Sequence, residues 1–60
     1  MKVGDLVKYG KLFNGRNRSA GLILEVDLHV NPSDCWCYVM WEDLTQEWEE
    51  LEVLERVLND

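Results

Sequence analysis

The chain is richest in aromatic side chains at Cys35-Trp36-Cys37-Tyr38-Val39-Met40-Trp41-Glu42-Asp43, which holds two of the three tryptophans, both cysteines and one of the two tyrosines. Aromatic and β-branched side chains favour a pleated sheet surface, so this run is predicted to be one strand. Successive side chains of a strand point to opposite faces. One face therefore carries Cys35, Cys37, Val39 and Trp41, and the other carries Trp36, Tyr38, Met40 and Glu42. So small a protein can bury only one of them, and the fate of the other is the functional question.

The length and composition indicate one globular domain spanning residues 1–60. Hydrophobic residues make up 47% of the chain and charged residues 30%, which argues against disorder. A domain of this size buries only about 60% of the surface of its unfolded chain. A metal, a disulfide or an oligomer could each supplement so small a core.

The net charge of −6 is distributed unevenly along the chain. Residues 1–18 carry five lysines and arginines against one aspartate, whereas residues 19–60 carry one arginine against eleven carboxylates. An acidic balance disfavours nucleic acid, because contacts to phosphates supply most non-specific affinity. Nucleic-acid binding is therefore kept as an alternative function only, through the basic 8–18 segment with Lys8, Lys11, Arg16 and Arg18.

The sequence predicts a location in the cytoplasm and no membrane partner. No apolar run approaches the roughly 20 residues that span a bilayer, and the N-terminus lacks the apolar core of a signal peptide. Cysteines in the cytoplasm are expected to remain thiols.

Two further strands are predicted before the central run. The first is Val3–Tyr9, with Val7 and Tyr9 on one face. The second is Ala20–Leu28, in which the alternation marks the leucine-valine side as inward. That side comprises Leu22, Leu24, Val26 and Leu28.

The loop over residues 10–19 joins these two strands and contains Leu12 and Phe13, which a fully solvated loop would not need. These two side chains either close one end of the core or form a contact site beside the basic residues.

After the central run, a short turn at 43–45 leads to a fourth strand, Thr45–Glu49, in which Trp48 is predicted to face inward. The tail over residues 50–58 fits two structures. Trp48, Leu51, Leu54 and Leu58 recur at helical spacing, but residues 52–56 also fit one short turn followed by a closing strand.

The order of these segments resembles that of small Src-homology-3-like (SH3-like) barrel proteins of tailed bacteriophages, notably cyanophages. The resemblance is carried by residues 3–8, 21–26, 38–43, 47–48 and 51–54, and it covers nearly the whole chain. It implies an all-β, five-stranded barrel with a 3₁₀ turn at 51–54 before the last strand. A β-meander with a C-terminal α-helix is the alternative. Because such phage proteins are of uncharacterised function, the resemblance supplies no catalytic residue, and it implies the host cytoplasm as the location.

If Val39 and Trp41 point inward, as the resemblance implies, then Trp36, Tyr38 and Met40 form an outward strip. Exposed aromatic and methionine side chains are enriched where proteins meet partners, so we predict a protein-binding or self-association surface. Two alternatives remain: the 10–19 loop covers the strip, or the strip lines a ligand pocket in which single-stranded bases stack.

Cys35 and Cys37 could bind a metal ion together with His29, which lies six residues before Cys35 in the chain. Zinc normally takes four ligands, so the fourth would have to come from Asp27, Asp34 or a partner chain. A disulfide between positions two apart would be cramped. The cysteines are therefore predicted to be small buried apolar residues, with no metal or cofactor.

The acidic run comprises Glu47, Glu49, Glu50, Glu52 and Glu55, and it is predicted to lie on outward positions as a solvated face. Such charges also discourage edge-to-edge aggregation of sheets. A second alternative function is an acidic inhibitor that docks on a basic host protein. The sequence pairs no nucleophile with a base and has no glycine-rich phosphate loop, so we predict a non-catalytic protein-interaction module.

Overall fold

The computed structural model describes residues 1–10 and 20–57 and has five strands in one antiparallel sheet. The strands are β1 (Leu6–Tyr9), β2 (Gly21–Asp27), β3 (Trp36–Trp41), β4 (Gln46–Glu50) and β5 (Leu54–Arg56). They lie in the order β4-β3-β2-β1-β5, and every neighbouring pair is antiparallel. Two 3₁₀ turns, Pro32–Asp34 and Leu51–Val53, complete the described part of the chain, which contains no α-helix. The prediction of an all-β fold with five strands and a 3₁₀ turn before the last strand is confirmed.

The core lies on one face of this sheet. Its buried side chains come from four strands and the second 3₁₀ turn: Val7, Ile23, Cys37, Val39, Trp41, Val53 and Leu54. Tyr9 packs against them, with its ring stacked on that of Trp41 at 4.6 Å between centroids. The inward face predicted for β3 is confirmed, as is the shared face of Val7 and Tyr9.

The sheet curls around this core, as one contact between strands that are not neighbours shows. Tyr9 on β1 donates a hydrogen bond to Glu49 on β4, although β2 and β3 separate those strands in the sheet. Next to the Trp36–Glu50 pair, the Leu51 amide donates to the carbonyl of Cys35 at 3.0 Å, which extends the pairing of β3 and β4 into the second 3₁₀ turn. A flat sheet could not make the contact between Tyr9 and Glu49, so the two sides of the sheet approach each other.

The inward face predicted for β2 is wrong in part. Ile23 is fully buried, whereas Leu22 is only half-buried and Leu28 is exposed beyond the end of the strand. The cause is a β-bulge: Ile23 lies opposite Val39 and Glu25 lies opposite Tyr38, so Leu24 is an extra residue. The bulge reverses the alternation, and Val26 beyond it packs against the core from an even-numbered position.

The predicted hairpin between the third and fourth strands is present, but the inward position predicted for Trp48 is wrong. The loop comprises Glu42, Asp43 and Leu44, since the Trp41 amide donates to the Thr45 carbonyl at 2.8 Å. Leu44 adopts φ 68°, the left-handed conformation expected at the last position of a three-residue hairpin loop. This odd loop length places Trp48 opposite Tyr38 on the outer face and Glu49 opposite Cys37 on the inner face.

Gly21 starts β2 at a point where the core leaves no space for a side chain. An added Cβ would lie 2.4 Å from Val39 Cγ1 and 2.9 Å from Trp41 Cε3, both far inside van der Waals contact. The close approach at Gly21 is thus made by two core side chains.

Residues 51–56 form a turn and a strand, so the alternative of a C-terminal α-helix is wrong over the described tail. Val53 and Leu54 are both buried and adjacent, which a strand entered from a tight turn permits. The Gly10 amide donates to the Val53 carbonyl at 3.0 Å, and β5 then pairs with β1. Pairing with β1 thus overrides the helical spacing of the leucines.

The predictions for Leu12, Phe13 and the 10–19 loop fall on residues 11–19, outside the described part of the chain. No helix within the described residues is long and apolar enough to cross a membrane.

Candidate protein-contact surface on the outer face of the sheet

The outer face of β2, β3 and β4 consists of three cross-strand rows, because directly opposed residues share a face. Each row is centred on one predicted site residue of β3. The rows are Leu22–Met40–Gln46, Glu25–Tyr38–Trp48 and Asp27–Trp36–Glu50. All three predicted residues, Trp36, Tyr38 and Met40, therefore point outward together, and we call this surface the outer face.

The aromatic part of the outer face is larger than predicted, because Trp48 belongs to it. The rings of Tyr38 and Trp48 lie 5.1 Å apart between centroids and are tilted by 48°. Trp48 is 46% exposed and Trp36 is 37% exposed, whereas Tyr38 is half-buried between its neighbours. Two tryptophans thus offer apolar surface to solvent on adjacent strands.

An apolar groove of about 210 Å³ lies at the Met40 end of the outer face. Its walls are Leu6, Ala20, Gly21, Leu22, Met40, Trp41, Glu42 and Leu44. Leu6 and Leu22 are cross-strand partners on β1 and β2, and Leu44 contributes to the lining from the hairpin loop. Among the described residues that line the groove, Glu42 is the only one with a carboxylate, so the groove suits an aliphatic side chain.

Carboxylates border the aromatic end of the outer face. Trp36 lies directly between Asp27 on β2 and Glu50 on β4, and Glu25 is the β2 neighbour of Tyr38. All three carboxylates are exposed. Asp27 Oδ1 lies 3.1 Å from His29 Nε2.

No lysine or arginine that the structure describes is paired with these three carboxylates. Lys8 lies across from Glu55 on β1 and β5, beyond the Leu6 row and therefore at the end of the sheet away from Trp36. Arg56 lies 3.6 Å from Asp5, and Lys2 belongs to the segment before β1. Within residues 1–10 and 20–57, the aromatic end of the outer face thus keeps its negative charge.

Of the basic residues predicted as a nucleic-acid site, only Lys8 lies in the described part of the chain, where it is exposed. Lys11, Arg16 and Arg18 lie outside it, so whether the four form one patch stays a prediction.

Both cysteines are buried free thiols. Cys35 Sγ accepts a hydrogen bond from the His29 amide at 3.2 Å and lies 3.3 Å from the His29 carbonyl, so it anchors the loop after β2. Burial raises the pKa of the Cys37 thiol, with a smaller upward contribution from Cys35, while the positive N-terminus partly opposes the shift. Among the described residues, no group of three or more His, Cys, Asp and Glu side chains is placed to hold a metal ion.

The acidic run does not lie wholly on outward positions, so that prediction is wrong in part: Glu47 and Glu49 lie opposite the core residues Val39 and Cys37, and only Glu47 of these two is exposed. Glu49 is only 8% exposed and points inward, where it accepts the hydrogen bond of Tyr9. The cause is again the hairpin register, which places Glu49 opposite Cys37. Glu47, Glu50, Glu52 and Glu55 are exposed.

Sequence reasoning missed Trp48, Leu6, Leu22 and Leu44 as members of the outer face and its groove. Trp48 could have been placed only from the length of the hairpin loop, and Leu22 only from the position of the bulge. Both depend on hydrogen-bond register, which alternation of apolar residues does not report.

Comparison of the chain with known protein families, with curated protein sequences and with solved structures finds no match.

Proposed function

We propose that this chain is a non-catalytic protein-interaction module, a small Src-homology-3-like barrel of phage type acting in the host cytoplasm. Its contact surface is the outer face, with Trp36, Tyr38 and Met40 at the centre and Trp48 beside them. The partner is another protein or a second copy of the chain. The strand order β4-β3-β2-β1-β5 and the 3₁₀ turn before β5 are in keeping with the barrel expected from the sequence.

The observation that carries the proposal is the apolar content of one continuous exposed face. Trp36, Trp48 and Leu6 are each more than one-third exposed, and they surround the half-buried Tyr38 and Met40. Solvent-exposed tryptophan is costly on a monomer, and tryptophan and tyrosine are the residues that most often dominate binding energy at protein interfaces.

The hairpin loop adds a second line of support. Leu44 holds a left-handed backbone conformation that glycine or asparagine adopts more easily, and its side chain is 77% exposed beside the groove. A leucine at this position is unfavourable for the isolated domain, because its backbone conformation is strained and its apolar side chain is exposed. Contact with a partner would account for its presence.

The experiment is capture of partners from a host lysate by immobilised protein, combined with sedimentation of the free protein over a range of concentrations. Trp36→Ala and Met40→Ala are compared with the wild type. Val30→Ala is the matched control, because Val30 is a fully exposed apolar residue in the loop after β2 and lies off the outer face. Circular dichroism verifies that each variant is folded.

We expect Trp36→Ala and Met40→Ala to lose the captured protein or the self-association, while Val30→Ala retains it. The proposal is overturned if Trp36→Ala captures the same proteins as the wild type and sedimentation shows a monomer at every concentration.

A further inference from the structure

The two ends of the outer face differ in chemistry, and each end predicts one feature of the partner. The Met40 end has an apolar groove of about 210 Å³, and the described residues that line it include a single carboxylate, Glu42. The Trp36 end has an exposed indole with a carboxylate on each side, Asp27 and Glu50.

The Trp36 end matches a cationic side chain. A guanidinium or ammonium group over an indole face gains cation–π attraction, and neighbouring carboxylates add charge-assisted hydrogen bonds. Directly opposed residues on neighbouring strands have Cβ atoms about 4.5–5.5 Å apart, so one cation can reach the ring and a carboxylate together. Arginine fits best, because its planar group stacks on the ring while its N–H groups bind carboxylate.

The surroundings strengthen the charge complementarity. Glu25, in the neighbouring row, adds a third exposed carboxylate, and no lysine or arginine of the described residues forms an ion pair with any of the three. Among the described residues, a partner segment that carries a positive charge would therefore meet three carboxylates at this end, one of which, Asp27, lies 3.1 Å from His29.

The spacing between the two ends fixes the geometry of the partner. Trp36 and Met40 are four residues apart on one strand, which at about 3.3 Å per residue is about 13 Å. An extended peptide spans the same distance in about four residues, and its side chains at positions i and i+4 point the same way.

We infer that the outer face binds an extended segment of a partner protein that carries an aliphatic side chain and an arginine four positions apart. The aliphatic side chain occupies the groove of Leu6, Leu22, Met40 and Leu44. The arginine stacks on Trp36 between Asp27 and Glu50. This inference rests on the proposed function and adds the chemistry of the partner to it.

The test uses fluorescein-labelled peptides with an alanine-serine background and the full-length chain, with binding followed by fluorescence anisotropy. Two peptides carry leucine and arginine four positions apart, one in each chain direction. Three controls replace the arginine by glutamate, replace the leucine by alanine, or place leucine and arginine only two positions apart.

Matched protein variants separate a local site from overall charge. Asp27→Asn with Glu50→Gln removes the two carboxylates beside Trp36. Glu52→Gln with Glu55→Gln removes the same charge from two exposed positions in the second 3₁₀ turn and β5. Trp36→Ala removes the indole.

We expect the leucine–arginine peptide of at least one direction to bind at least about fivefold more tightly than each of the three controls, a difference of about 1 kcal/mol. Asp27→Asn/Glu50→Gln and Trp36→Ala should each weaken it by about fivefold or more, while Glu52→Gln/Glu55→Gln changes it by less than about twofold.

Equal weakening by the two double variants would mean that only net charge is sensed, and the inference would fail. It also fails if spacing or the leucine makes no difference, or if no peptide binds. If the inference fails in one of these ways but Trp36→Ala still loses capture or self-association, the chain remains an interaction module whose partner has a different chemistry. If Trp36→Ala loses neither capture nor self-association, both proposals are overturned.

Discussion

Tyr9 Oη donates a hydrogen bond of 2.5 Å to Glu49 Oε2, joining two residues that are 40 positions apart in the chain. Tyr9 lies on β1 and Glu49 on β4, with two strands between them in the sheet. The bond brings a carboxylate that is only 8% exposed into contact with a donor at the edge of the aromatic core. The bond therefore stabilises the curved shape of the sheet and also gives the buried Glu49 carboxylate a hydrogen-bond donor.

Tyr9→Phe should lower the free energy of unfolding by about 1–3 kcal/mol, because a buried acceptor loses a donor while the ring is kept. The measurement is urea denaturation at neutral pH. Glu49→Gln is the matched variant: it keeps the shape and an acceptor oxygen, so it should cost less than Tyr9→Phe. Equal stability of Tyr9→Phe and the wild type would show that this bond does not stabilise the fold.

Gly21→Ala should destabilise the domain by about 1–3 kcal/mol through overpacking. The new methyl group would meet Val39 Cγ1 at 2.4 Å, and that side chain is fully buried with no room to move. Gly10→Ala serves as control, since its Cβ would lie 3.5 Å from the flexible Glu55 side chain. Thermal denaturation of both variants tests this, and a Gly21→Ala melting temperature at or above that of Gly10→Ala would contradict it.

Leu44→Gly should raise the free energy of unfolding by about 0.5–1 kcal/mol. Leu44 has φ 68°, and relief of this strain exceeds the entropy that glycine adds to the unfolded chain. Leu28→Gly, at an exposed apolar residue without a positive φ, should instead destabilise slightly. Urea denaturation compares the two. A destabilised Leu44→Gly would mean that the leucine contributes packing that outweighs the strain.

The stability of the protein should fall with alkaline pH in a way that depends on Cys37. Burial raises the pKa of this thiol above its ordinary value of 9.0, so the folded state keeps the proton that the unfolded state releases. The contribution is therefore fully present below about pH 9 and is lost as the pH rises from there through the folded-state pKa.

The test is the free energy of unfolding between pH 7 and pH 10 for the wild type and Cys37→Val, since valine keeps an apolar side chain of similar size. The difference between the two proteins should shift in favour of Cys37→Val above about pH 9. A difference that stays constant over this range would exclude the thiol as the cause.

The two faces of Cys35–Asp43 could be predicted from its strong alternation, whereas five strands with a 3₁₀ turn before the last were expected from the resemblance. The side chains of β2 and β4 were harder. In β2, the extra residue Leu24 divides the strand into two halves of opposite alternation, so no single inward face exists. In β4, Glu47-Trp48-Glu49 alternates clearly, but the loop length decides which set faces inward.

The central residues of the candidate surface could be predicted from the sequence, but its outer residues could not, because their positions also depend on the register between strands. Trp36, Tyr38 and Met40 follow from one strand alone. Trp48 and the carboxylates beside Trp36 follow only from cross-strand pairing, which joins residues that are 9–14 positions apart. A buried glutamate runs against composition rules, and the tertiary position of Tyr9, which donates a hydrogen bond to it, helps to explain why it is tolerated.

The three tryptophans lie on both sides of one sheet. Tryptophan fluorescence can therefore report on the core and on the outer face of the same chain. Trp41 is sealed in the core, whereas Trp36 and Trp48 face solvent. Core indoles emit at shorter wavelength than hydrated ones, so loss of the fold and occupation of the outer face should shift the emission spectrum in opposite directions. Partner binding and unfolding can then be told apart in a single titration without any added label.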